Sequence, residues 1–121
     1  MDIKKTVEAE ESFLISLRRH FHENPELSQQ EWKTMDFIEE TLHGWGISTV
    51  RVPRGGIFGM IDSGKDGWTV LMRADIDALP IEESADVPFR SLTPGVMHAC
   101  GHDVHTSVML GAALLLKQQE T

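Results

Sequence analysis

The sequence has one cysteine, no tyrosine, and only five Phe and three Trp among its 121 residues. A lone thiol has no partner within the chain, so a disulfide framework is excluded, and Cys100 remains a thiol, a thiolate or a metal ligand. Positive charge is also scarce. Eleven Lys and Arg face 19 Asp and Glu, a formal net charge of −8 that opposes association with phosphate backbones and anionic lipid. Nucleic acid and membrane surfaces are thereby set aside as partners. No apolar run approaches the roughly 18 residues of a membrane span. The N-terminal MDIKKTVEAEE is acidic where a signal peptide would be apolar. These absences lead us to expect a soluble, cytoplasmic chain. Internal repeats and low-complexity tracts are lacking too.

What is present is globular in composition, 40% hydrophobic and 25% charged, on the scale of one domain. From about Lys4 to Glu23, Val7, Leu14, Leu17 and Phe21 recur at helical spacing, and Asn24-Pro25 closes the segment. Ser28-Gln29-Gln30-Glu31 has the form of a capping box. It precedes a second helix with Met35, Ile38, Leu42 and Trp45 on one face and Gly44 and Gly46 at its end. Three strands are expected next: Ile47 to Val52, Ile57 to Ile61, and Trp68 to about Arg73, separated by Gly-rich turns. The third, WTVLMRAD, is apolar without alternation, the pattern of a strand covered on both faces. Two short turns require an antiparallel pairing, so the expected fold class is α/β with a mixed sheet. Residues 80–95 are polar, contain three prolines and read as a long functional loop. The last helix, roughly His102 to Gln119, is apolar nearly all round and calls for burial on every side. Two helices and three strands are too few to cover it, so the chain is expected to be incomplete.

The chemistry concentrates in MHACGHDVH, residues 97–105, which gathers three histidines, the single cysteine and an aspartate. Gly101 lets the chain turn tightly between Cys100 and His102, so that a thiolate and an imidazole can converge on one ion about 2 Å from each. Asp75 and Asp77 fall at the end of the third expected strand, where ligands of α/β sheets bind. Other readings weigh against these. Cys100 alone could be a buried structural thiol. Asp75 and Asp77 could simply accept hydrogen bonds in a turn. His20, His22 and His43 sit on amphipathic helices and read as surface or interhelical residues. Glu82, Glu83 and Asp86 read as a solvated loop face. A self-contained structural zinc site is sterically awkward within nine residues. A thiol hydrolase, with Cys100 as nucleophile and His98 or His105 as base, stays open.

Three stretches together carry a resemblance: residues 17–31, with LRRHFH, NPELS and Glu31; residues 73–81, RADIDALPI; and residues 95–106, GVMHACGHDVHT. In this order they resemble the aminoacylase/hippurate-hydrolase-type metal-dependent amidohydrolases, within the clan of co-catalytic zinc carboxypeptidases. The resemblance implies a longer two-domain enzyme with an α/β/α sandwich as catalytic domain. Residues 1–121 would be the N-terminal, incomplete portion of that domain, with the inserted dimerisation domain absent. It further implies a pair of divalent metals, zinc, manganese or nickel, with Cys100 and His102 among the ligands. Asp77 becomes the active-site carboxylate that supports the metal centre, whereas Asp75 stands where related peptidases carry a ligand histidine and has an open role. The remaining ligands, a glutamate and two histidines, and the general-base glutamate have no counterpart in this sequence. The implied reaction is hydrolysis of the amide bond of an N-acyl amino acid or peptide. The 121-residue chain alone is expected to be inactive and, through its apolar last helix, prone to form a homo-oligomer. The main alternative is a truncated fragment acting only as a folding or assembly unit.

Overall fold

In the computed structural model, which describes residues 1–119, the chain runs α1 (Ile3–Ala9), α2 (Glu11–Glu23), α3 (Trp32–Gly44), β1 (Ser48–Arg51), β2 (Ile57–Met60) and α4 (His102–Gln118). The single helix expected from Lys4 to Glu23 is two. Glu10 leaves the helical path, its N–H returning to the Val7 and Glu8 carbonyls. Glu8 and Glu11, three apart, would repel across one continuous helical face. Asp2 caps α1 through its side chain on Lys5 N, at 3.2 Å. α2 turns Leu17, Phe21 and His22 inward and ends before Pro25, where both the backbone and the side-chain nitrogen of Asn24 return to the His20 carbonyl at 3.1 and 2.8 Å.

The capping box expected at Ser28–Glu31 does not form. Gln29 adopts a left-handed conformation, φ 68°, and folds the chain back so that Glu26 lies over the start of α3. The Glu26 carboxylate accepts from Lys33 N at 3.3 Å and from both the backbone N and the hydroxyl of Thr34 at 2.6 and 2.7 Å. A full negative charge at the positive end of the helix dipole does the work assigned to Ser28. Glu31 instead accepts from Gln29 N.

β1 and β2 pair antiparallel in the register Ser48↔Met60 to Arg51↔Ile57. Among the described residues, parallel pairing is confined to an isolated bridge, Leu27↔Ala78, and a second isolated bridge, antiparallel, joins Leu79 to Met97. The third expected strand is absent from the described residues. Residues 68–73 run unpaired, with Trp68, Val70 and Leu71 exposed at 99%, 79% and 76%. A strand apolar on both faces needs ladder partners on its edges and helices on its two sides, and no described element lies alongside this one.

The core joins Leu17 and Phe21 of α2, Ile38 and Leu42 of α3, Ile47, and Leu110 of α4. α4 lies close against α2 at Gly111, where an added Cβ would come within 2.8 Å of the Leu14 side chain. Burial of α4 is one-sided, contrary to the all-round burial expected. Leu110 is buried, whereas Val108 and Leu116 are exposed. Its apolar outer face has no cover among the described residues.

Candidate metal centre

Backbone hydrogen bonds draw the three motif stretches together. Ala78 N donates to the Glu26 carbonyl at 2.8 Å, and Leu79 and Met97 exchange a pair of bonds at 2.9 and 3.1 Å. The RADIDALP stretch therefore lies between NPELS and the start of MHACGHD. Gly101 takes φ 97° as the residue before α4, so the chain turns sharply between Cys100 and His102 at a position where a side chain would be strained.

His102 opens α4 and points back at the aspartates. Its Nδ1 lies 3.0 Å from both the carboxylate and the backbone carbonyl oxygen of Asp77, and its Nε2 lies 4.0 Å from Asp75 Oδ2. With a proton on Nδ1 donated to Asp77, the Nε2 lone pair is free to bind a cation, the arrangement that orients metal-ligating histidines. Asp75 also receives the Arg73 guanidinium at 2.5 Å, and its backbone carbonyl accepts from Thr106. Cys100 is exposed. Neither Cys100 nor His102 is sealed among leucines.

The donor set fits a divalent ion in part. A thiol, an imidazole and a carboxylate are ligand types for zinc and other first-row metals. Among the described residues, however, no three His, Cys, Asp or Glu side chains converge into a cage. Cys100 and His102 alone do not make up a coordination shell.

Behind His102 lies a buried charge network that the sequence reading missed. Asp103 is buried, and its Oδ2 accepts from Arg18 Nε at 2.9 Å and contacts His22 Nδ1 at 2.8 Å. The other nitrogen of the His22 ring lies 2.6 Å from Glu83 Oε2. Both contacts are hydrogen bonds when both ring nitrogens carry hydrogen. Burial favours the neutral form of Asp103, yet the His22 and Arg18 hydrogen bonds outweigh it and hold the carboxyl below its ordinary value. Glu83 is likewise held low against burial, by His22 and by the Ser91 N–H at 2.5 Å. Glu83 is thus buried, not part of a solvated loop face, and of the two readings for His22 the interhelical one holds, its buried ring joining α2 to Asp103 of α4. Their signal was faint but present, since Arg18 and His22 flank the inward Leu17 and Phe21 on α2. His20 and His43 behave as read, His20 stacking on Phe37 with ring centres 3.8 Å apart and His43 meeting Thr49.

His98 is buried with both ring nitrogens unpaired, as is Asp103 Oδ1. Burial pushes the His98 imidazole below its ordinary value, with the Asp103 charge opposing. Among the described residues Cys100 has no hydrogen bond to His98 or His105, so the nucleophile–base pair of a thiol hydrolase is not assembled.

Residues 71–121 match the profile of the peptidase family M20/M25/M40. A Bacillus subtilis protein, whose crystal structure is described as a dinuclear metal binding peptidase of the M20 family, superimposes with a TM-score of 0.89 at 44% identity, over 94% of this chain and 33% of that one. The chain is similar to the M20 peptidases over this stretch. Thermostable carboxypeptidase 2 of Saccharolobus solfataricus is 48% identical over 117 residues, 94% of this chain and 30% of its own length. An N-acyl-L-amino acid amidohydrolase of Geobacillus stearothermophilus is 43% identical over 118 residues, 97% of this chain and 32% of its own. The chain therefore spans about 30% of the length of the curated relatives it matches. Its α/β architecture is that of the M20 neighbours over this stretch. No helix among the described residues is long and apolar enough to cross a membrane.

Proposed function

We propose that this chain carries part of the active site of a metal-dependent amidohydrolase acting on N-acyl amino acids or small peptides. Cys100 and His102 are its metal ligands and Asp77 the carboxylate that orients His102. The observation that carries this reading is the His102 ring, tied to Asp77 through Nδ1 with Nε2 left available, two positions along the chain from an exposed thiol. A bound divalent ion, in the two-metal arrangement named for the Bacillus subtilis neighbour, supplies Lewis acidity toward water and the amide carbonyl. The chain's own residues do the rest. Asp77 fixes the His102 tautomer, Gly101 sets the angle between the two ligands, and the Asp103 network keeps the base of α4 in place. Zinc and nickel suit a sulfur and nitrogen pair, manganese would rely on oxygen donors, and ligand softness favours zinc. A cytoplasmic location belongs to the same reading, since a reducing compartment keeps Cys100 a thiol. The apolar faces of residues 68–72 and α4 favour self-association.

Metal binding and hydrolysis of N-acetyl amino acids, measured on the chain before and after chelation, test the proposal. We expect chelatable metal that is lost in Cys100→Ala, with negligible turnover because the remaining ligands and the general base lie outside this sequence. Turnover that survives chelation but not thiol alkylation would replace the proposal with thiol catalysis. A cooperative melt with no metal uptake would leave a folding or assembly unit. A monomeric sedimentation profile would refute the self-association.

A further inference from the structure

α4 begins without a side-chain cap, because the residue before it is Gly101. Its first turn carries His102, and something else has to hold that turn still. The Asp103 carboxylate reaches across to α2, where Arg18 and His22, one turn apart, both meet its Oδ2 at 2.9 and 2.8 Å. The far side of the His22 ring is held by Glu83 of the 80–95 loop at 2.6 Å. The His22 side chain is 6% exposed and the two carboxylates 3% and 1%. One imidazole thus ties α2, the loop and the first turn of α4 at a point sheltered from water. The backbone turn is tied as well, since the Ser107 hydroxyl donates to the Asp103 carbonyl at 2.7 Å.

We propose that His22 is a positioning residue for the ligand His102, acting through Asp103, with Glu83 seating its ring. The inference rests on the reading of His102 as a metal ligand. Coordination distances tolerate only about ±0.2 Å. Asp77 fixes the rotation of the His102 ring, but the location of its backbone depends on the turn that Asp103 anchors. Partners that orient ligands from behind typically change metal affinity by about 10–100-fold when removed. A rigid ring with a nitrogen at each end spans the two carboxylates, and a glutamine, whose hydrogens sit on a single atom, cannot bridge them in the same line.

The test uses cobalt(II) titration of the chain, read by thiolate-to-cobalt absorption. In parallel, NMR follows solvent exchange of the His102 Nδ1 proton in the metal-free chain. His22→Gln is expected to keep the thiolate band, to lose about 10–100-fold in cobalt affinity and to exchange the His102 proton faster. The double variant His22→Gln/Asp103→Asn should be no weaker than the weaker single variant, since both break the same link. Leu110→Ala should lower the melting temperature while leaving cobalt affinity in place, separating positioning from general destabilisation. Where Asp103→Asn does not fold, Glu83→Gln serves instead and should shift both readouts in the same direction by less. Wild-type affinity and exchange in His22→Gln, or losses that add in the double variant, would overturn the proposal. Absence of a thiolate band in the wild type would overturn the ligand reading instead, and proton exchange at His102 would still decide the role of His22.

Discussion

Replacing Asp103 with alanine removes the acceptor shared by Arg18 and His22 and leaves both without their partner. Breaking a buried ion pair by deleting one member typically costs about 3–5 kcal/mol, because the remaining charge is stranded in a poorly solvated place. Here the lower end applies. The Arg18 side chain is 36% exposed and can turn toward water, where solvent screens it, whereas the buried His22 ring, 6% exposed, loses the partner of its Nδ1 and keeps only Glu83. Unfolding entropy of about 2.1 cal/mol/K per residue gives roughly 0.25 kcal/mol/K for a chain of this length, so a loss of about 3 kcal/mol lowers the melting midpoint by roughly 12 °C. Circular dichroism melts at neutral pH, with urea unfolding as a second measure, are sufficient. Asp36→Ala is the control. Its 2.6 Å pair with Arg51 is as short, but the Asp36 side chain is 63% exposed, and the midpoint should hardly move. If Asp103→Ala and Asp36→Ala melt alike, the buried network contributes nothing beyond a surface pair and the reasoning fails.

Three further outcomes follow from the same geometry. Glu83 is held below its ordinary value of 4.5 despite burial, so its contribution is present above that value and is lost as pH falls through the lower folded value. The acid limb of a melting-versus-pH curve should therefore be shallower in Glu83→Gln than in wild type. Gly101→Ala places a side chain at φ 97°, a strain of about 1–3 kcal/mol. It should both destabilise the chain and weaken metal uptake, as read by a melt and by equilibrium dialysis. Leu110→Ala empties a core position and should cost about 2–5 kcal/mol in urea unfolding, whereas Val108→Ala, on the exposed side of the same helix, should stay within about 0.5 kcal/mol.

Periodicity located what depends on local sequence and missed what depends on distant partners. α2, α3, the hairpin and α4 follow from apolar spacing and turn residues, and all four stand close to their expected positions. The stretch WTVLMRAD reads as a strand because its side chains suit one, but a strand is made by its neighbours, and residues 68–73 have none among the described residues. All-round burial of α4 failed for the same reason. At the site, the Cys-Gly-His spacing marked Cys100 and His102 as candidates from local sequence alone. The contact of Asp77 with His102, 25 positions apart, is a feature of the fold. His22 and Glu83 were passed over because their significance lies in each other, 61 positions apart, and no local pattern marks a buried pair at that separation. Ser28 shows the converse error. A capping motif is a local pattern, and the left-handed turn at Gln29 let Glu26 take its place.

The central claim is that Cys100 and His102 bind one divalent ion, and X-ray absorption at the zinc edge of the zinc-loaded chain tests it most directly. A shell containing one sulfur at about 2.3 Å together with nitrogen at about 2.0 Å is expected, and the sulfur contribution should vanish in Cys100→Ala. A shell of nitrogen and oxygen alone in the wild-type chain would contradict it.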